Sequence, residues 1–185
     1  MIIAIVFYVL LAAWLMEWVV FKETATIGKG GKRKTFYIRV LLGVMFLCAV
    51  VSSFMIAKVS GKTYLAVKVT GLLILALGLF LRYWTYRFTK PHFTRTIIPL
   101  ENRPLYSNGP YRFTRHPFHT GFFLNSLGGC LFISGHWLAV LVTFIFVGTA
   151  LHYRMAMEES LYSEKYGDIY VYWCRHRFRL LPFLY

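Results

Sequence analysis

The 185-residue chain is 58% hydrophobic and 19% aromatic, yet it carries 21 lysines and arginines against seven acids, a net charge of +14. A mean hydropathy of +0.56 excludes a disordered basic tail and leaves a soluble nucleic-acid module unexplained. What remains is an integral membrane protein of one domain, residues 1–185, with basic loops and no call for a nucleic-acid partner.

A helix crossing the hydrocarbon layer needs roughly 20 mostly apolar residues. Five segments meet that demand. The first, about 1–21, is interrupted only by Glu17. It lacks a basic start and its cations follow the apolar run, so it reads as a retained span and not a cleaved signal. Glu17 reads equally as a functional acid and as a solvated interfacial residue beside Trp18. The next loop carries Gly28, Gly30 and Gly31 among lysines. The spacing is not that of a phosphate loop and no strand precedes it, so a flexible turn is expected.

The second and third spans cover about 38–57 and 65–81, with Lys68 placed to snorkel. The fourth and fifth, about 118–134 and 137–153, are separated only by Gly135 and His136, which predicts an antiparallel hairpin. Gly71 and Gly78, then Gly121, Gly128 and Gly135, recur seven apart, a stripe of small residues suited to close helix packing. Eighteen of the 21 cations fall on one side of this arrangement, which the positive-inside rule makes cytoplasmic. The expected fold is an all-α membrane protein with five transmembrane helices, N-terminus outside and C-terminus in the cytoplasm. The two cytoplasmic segments, about 82–117 and 154–185, are long and chemically varied, and there the functional site is expected. Cys48, Cys130 and Cys174 are too few and too scattered for a disulfide framework or a metal quartet, and no metal site is expected.

The most informative run is Gly109-Pro110-Tyr111-Arg112-Phe113-Thr114-Arg115-His116-Pro117-Phe118-His119-Thr120-Gly121. Pro117 suits the first turn of a helix and leaves His116 at the membrane interface. At the end of the fifth span, Arg154 and Glu158 lie one helical turn apart, and the hairpin brings them back to the level of His116. Taken alone they are a surface pair worth a few tenths of a kcal/mol. Convergence with His116 makes them a candidate site.

With Glu158-Glu159, the following Tyr166-Gly167-Asp168 and Tyr170, and the closing Leu181-Pro182-Phe183, this run resembles the isoprenylcysteine carboxyl methyltransferase and phospholipid methyltransferase family of integral membrane enzymes. The resemblance covers about Thr96 to the C-terminus. It implies S-adenosyl-L-methionine as methyl donor, with S-adenosyl-L-homocysteine as product, bound on the cytoplasmic side without a Rossmann domain. The implied donor contacts are Arg103, Pro104, Leu105, Tyr106, Tyr111, His116, Pro117, Phe118, His119 and Glu158. Arg154 matches the position that contacts the acceptor, and Arg154, Glu158 and His116 are the candidate catalytic residues. One departure is His119, where the family usually has tyrosine.

The implied acceptor is lipophilic and enters from the bilayer. Carboxyl methylation of an isoprenoid or prenylcysteine-like substrate is the first choice, with phospholipid-amine or thiol methylation as the alternative. An amine or thiol would need a base, for which Glu159, His116 or His119 are candidates. A silent membrane subunit or sensor that keeps the fold is the alternative from another class. The short chain suggests a prokaryotic plasma-membrane protein.

Overall fold

A computed structural model of the chain describes residues 1–23, 29–99 and 104–180. They form helices α1 (Ile2–Val20), α2 (Lys29–Ser60), α3 (Leu65–Thr89), α4 (Pro117–Ser134), α5 (Leu138–Tyr166) and α6 (Asp168–Cys174). Short 3-10 turns lie at Lys90–His92 and Gly109–Arg112. Among the described residues there is no strand, only an isolated bridge between Thr114 and Phe178.

Among the described residues four helices, where the sequence predicts five spans, are long and apolar enough to cross a membrane: α1, α2 from Arg33, α3 continued to His92, and α5. The exception is α4, whose apolar run is broken by His119, Thr120, Asn125 and Ser126. It is nonetheless the centre of the bundle. Eleven of its 18 residues are buried, and it packs against α2, α3 and α5. A helix screened by its neighbours can keep polar residues that a lipid-facing helix cannot. On α1, by contrast, only Phe7 and Glu17 are buried.

Helix boundaries also depart from expectation. The second helix begins at Lys29, so Gly30 and Gly31 belong to its first turn and not to a flexible loop; Gly28 lies outside the described residues. The third continues through Arg82–Phe88 to Thr89. No proline interrupts it before Pro91, and Arg82 is neutralised inside the bundle by Glu17 (below).

The glycine stripes hold α3 against α4. A Cβ at Gly78 would lie 2.8 Å from the Gly121 carbonyl oxygen, and one at Gly128 would lie 2.5 Å from that of Gly71. Backbones this close leave no room for any side chain. Gly135 adopts φ +60° at the tip of the α4–α5 hairpin, a left-handed conformation that glycine enters freely.

Buried residues on α5 recur every fourth position at Ala139, Thr143, Val147, Leu151 and Met155. A regular helix would drift by about 40° at each such step. The π turn at Phe144–Gly148 widens the helix locally and offsets part of that drift. Arg154 and Glu158 thereby stay on the buried side.

Beyond α6 the chain returns across the 104–120 segment. The Arg115 N–H donates to the Phe178 carbonyl (2.8 Å), and the Phe178 N–H donates to that of Phe113 (3.0 Å). Trp173 Nε1 donates to the Tyr106 carbonyl (3.0 Å), Arg177 Nε to that of Tyr111 (2.8 Å), and the Thr120 hydroxyl to that of Leu180 (2.8 Å). These bonds satisfy loop carbonyls that would otherwise be orphaned at the bundle end.

Candidate functional site

Pro117 occupies the first turn of α4 and His116 its N-cap. Proline's missing N–H costs nothing there, and its fixed φ sets the entry angle. His116 is thereby turned toward α5. Its Nε2 lies 3.0 Å from Glu159 Oε1 and its Nδ1 lies 3.5 Å from Glu158 Oε2. Arg154 Nε is 2.7 Å from His119 Nε2 and 3.1 Å from Glu158 Oε1. A single N–H is therefore shared between an imidazole lone pair and a carboxylate, which requires the neutral His119 tautomer protonated on Nδ1. The guanidinium is anchored further by an Arg154 bond from a terminal nitrogen to the Arg95 carbonyl (3.0 Å). On the outer side, Arg115 and Arg179 pair with Glu159 at 3.2 and 3.1 Å.

Burial pulls the His116 imidazole toward its neutral form, but hydrogen bonds and charge from Glu158 and Glu159 outweigh it, and its pKa is raised above the ordinary value. A histidine raised on folding stabilises the folded state most below its unfolded pKa of about 6.5. That contribution is lost as pH rises through the raised value. Thermal melts of detergent-solubilised protein should therefore show Tm falling with pH above neutrality, and His116→Asn should flatten that slope. An unchanged slope in the variant would remove His116 as its source.

A second charged pair was not legible in the sequence. Glu17 on α1 and Arg82 on α3 are both nearly inaccessible, with Arg82 Nε 2.8 and 2.7 Å from the two carboxylate oxygens. Arg82 also donates to the Phe118 carbonyl (3.0 Å) and lies 3.9 Å from the Phe118 ring centroid. Glu17 is thus neither solvated nor isolated. Breaking such a pair costs about 3–5 kcal/mol, so it fixes α1 to the head of α4. Two opposite charges placed inside otherwise apolar runs were the available signal.

Both clusters open into one cavity of about 390 Å³, within the usual range for small-molecule sites. Of the residues singled out from the sequence, Pro104, Leu105, Tyr106, Tyr111, His116, Phe118, His119, Arg154 and Glu158 line it. Pro117 does not, serving instead as the helix start. Arg103 and Leu181-Pro182-Phe183 lie outside the described residues. Sequence reasoning missed Thr85, Arg95, Tyr162 and Trp173 among the lining residues. Tyr106 and Tyr111 stack with centroids 5.5 Å apart, and the Tyr106 hydroxyl lies 3.0 Å from His92 Nδ1, so the aromatic wall is held rigid.

His116, His119 and Glu158 offer three ligand atoms within 4.8 Å of one another. The Arg154 N–H already stands between two of them, so a metal ion could enter only by displacing a guanidinium. The three cysteines are free thiols.

Helices of membrane length, with a cavity lined by charged and aromatic side chains at one end of the bundle, define an integral membrane protein. The model of the isoprenylcysteine carboxyl methyltransferase family matches residues 69–164, just over half of the chain. The chain belongs to that family of membrane methyltransferases. The matched region begins in α3 and ends in α5, so it takes in Arg82, His116, Arg154 and Glu158. No curated protein matches the chain.

Proposed function

We propose that the protein transfers a methyl group from S-adenosyl-L-methionine to the carboxylate of a lipophilic acceptor at the cytoplasmic face of the membrane. In this reading α4 is a fifth crossing, screened from lipid by its neighbours. The observation that carries it is the junction of Glu158, His116 and Arg154 with the Tyr106–Tyr111 wall in one cavity.

The residues present fit the donor. A carboxylate beside an aromatic wall suits a molecule that carries an ammonium, a sulfonium and an adenine ring. When bound, that donor supplies an electrophilic methyl group. The protein's part is to align and to exclude water, which together account for much of the barrier in such displacements. Arg154, held by Glu158 and by the Arg95 carbonyl, is pre-oriented to bind an acceptor oxygen pair. His116, bridging Glu158 and Glu159, keeps the Glu158 carboxylate in place. No general base is required for a carboxylate nucleophile.

Charge favours a carboxylate over an amine. Among the described residues, six arginines (39, 82, 95, 115, 154 and 179) pair with only four glutamates (17, 23, 158 and 159) around this site. Such an excess attracts an anion and disfavours an ammonium. The test is transfer of labelled methyl from S-adenosyl-L-methionine into a total lipid extract, with the labelled product identified. A base-labile methyl ester is expected. A labelled choline-type headgroup or thioether would replace the carboxyl reading, and no label in a sample that binds the donor would favour a silent subunit.

A further inference from the structure

Where α1 ends and α2 begins, two arginines converge on one carboxylate. Arg39 on α2 donates from a terminal nitrogen to Glu23 Oε1 at 3.2 Å. Arg95 Nη1 stands 3.9 Å from the same oxygen, beyond hydrogen-bonding distance. A buried bond between the Thr35 and Thr96 hydroxyls (3.1 Å) brings the two arginines together. Thr35 lies one turn before Arg39 on α2 and Thr96 follows Arg95, so joining the threonines sets both guanidinium groups side by side. Arg95 is held from its other side by the Glu17 carbonyl (3.1 Å) and by the Trp18 ring, 4.9 Å away at its centroid. Both arginines line the cavity, and Glu23 does not.

The other arginines of the cavity have carboxylates of their own: Arg82 has Glu17, Arg154 has Glu158 and Arg115 has Glu159. Arg39 and Arg95 share one, through a single oxygen. Burial lowers the Arg95 pKa, and repulsion from Arg82 and Arg39 adds to that effect against the pull of Glu23. Positive charge is therefore incompletely balanced at this point. The Arg39 and Glu23 side chains are 40% and 28% exposed. An ion pair so open to its surroundings contributes little, and an incoming anion can replace the carboxylate.

We infer that Arg39 and Arg95 form a phosphate-binding site, that Glu23 is the group a phosphate displaces, and that the ligand is the headgroup of an anionic phospholipid. A tetrahedral phosphate offers a separate oxygen to each guanidinium, which the one Glu23 oxygen does not. Depth selects the source. α1 ends at Val20 and Trp18 is largely exposed, so the site stands where helices leave the hydrocarbon, level with lipid phosphates. Basic pockets between membrane helices at that level hold anionic headgroups. The site borders the place proposed for methyl transfer, since the Arg95 carbonyl accepts from Arg154, but it needs neither donor nor acceptor to fill.

The test is calorimetric titration of the full-length protein in an uncharged detergent, without methyl donor. The probes are dioctanoyl-phosphatidylglycerol, dioctanoyl-phosphatidylcholine and inorganic phosphate. Phosphatidylglycerol is expected to bind about tenfold more tightly than phosphatidylcholine, whose ammonium meets the arginines. Glu23→Gln should tighten phosphatidylglycerol binding about fivefold, the value of one exposed ion pair. Arg39→Gln should weaken it by about tenfold or more, as the loss of a charge-assisted hydrogen bond does. Glu164→Gln and Arg175→Gln make the same changes of net charge at exposed positions outside the lining, and both should bind the lipid as the unaltered protein does. Affinity unmoved by Glu23→Gln, or moved as much by the Glu164 and Arg175 variants as by those at Glu23 and Arg39, would overturn the inference. Inorganic phosphate that shows the expected dependence on Glu23 and Arg39 while the lipid does not would overturn the headgroup and assign the site to a soluble phosphate. Because no donor is present, the outcome is independent of whether the protein transfers methyl groups.

Discussion

Arg154→Ala is expected to lower kcat/KM for the methyl acceptor by about 10²–10³-fold, the scale seen when one preorganised donor to developing charge is removed. Donor affinity should change much less, because the role proposed for Arg154 lies on the acceptor side. The side chain is buried, with Nε shared between His119 and Glu158 and a terminal nitrogen on the Arg95 carbonyl. Its removal leaves Glu158 with one cationic neighbour fewer, so some loss of stability accompanies the loss of activity. Arg154→Lys separates the two effects. Lysine keeps the charge but cannot hold Glu158, the Arg95 carbonyl and an acceptor carboxylate together, so turnover should remain strongly reduced while Tm recovers. Steady-state kinetics beside a calorimetric donor titration reads this directly. Full turnover in Arg154→Ala would remove the residue from acceptor binding.

Glu158→Gln should weaken S-adenosyl-L-methionine binding by about 10–100-fold, the value of a hydrogen bond to a charged group in a buried site. Glutamine keeps the shape but removes the charge that Arg154, His116 and His119 surround at 3.1, 3.5 and 3.3 Å. With that carboxylate gone, Arg154 is left among neutral groups, and Tm should fall as well. The useful comparison is Glu159→Gln, whose carboxylate faces Arg115 and Arg179. It should destabilise the docked tail with little effect on donor affinity. Equal loss of donor affinity in both variants would mean that Glu158 acts only through the fold.

The residues of the candidate site were legible because they sit in a short run with strong local rules. Pro117 announces a helix start, the Gly135-His136 connection announces a hairpin, and together they place His116 opposite Arg154 and Glu158. The structure brings these three side chains together within hydrogen-bonding reach of shared partners. His119, which departs from the usual tyrosine, proves to be the acceptor of the Arg154 N–H. A tyrosine hydroxyl oxygen could also accept that N–H; the neutral imidazole does so through Nε2, with its own proton standing on Nδ1.

What escaped the sequence depends on contacts between distant segments. Glu17 and Arg82 are 65 residues apart, and nothing local in either run announces the other. The same holds for Trp173 and Arg177, whose bonds to the Tyr106 and Tyr111 carbonyls bring the tail over the cavity. The fourth expected span is the one that helix length and hydropathy leave open, for a related reason. Hydropathy averages over all faces of a helix, whereas lipid tests only the faces it touches, and α4 shows lipid very little of itself.

The chain's oil and its +14 charge determined by themselves that this is a helical membrane protein with basic loops, since bilayer thickness fixes span length and the backbone must satisfy its own hydrogen bonds there. Only the tertiary structure decided which of those charges leave the solvent-facing inventory. Arg82, Arg154, Glu17 and Glu158 are buried because each finds an opposite charge on another turn or another helix. That pairing is a property of three-dimensional proximity, which no count of residues contains.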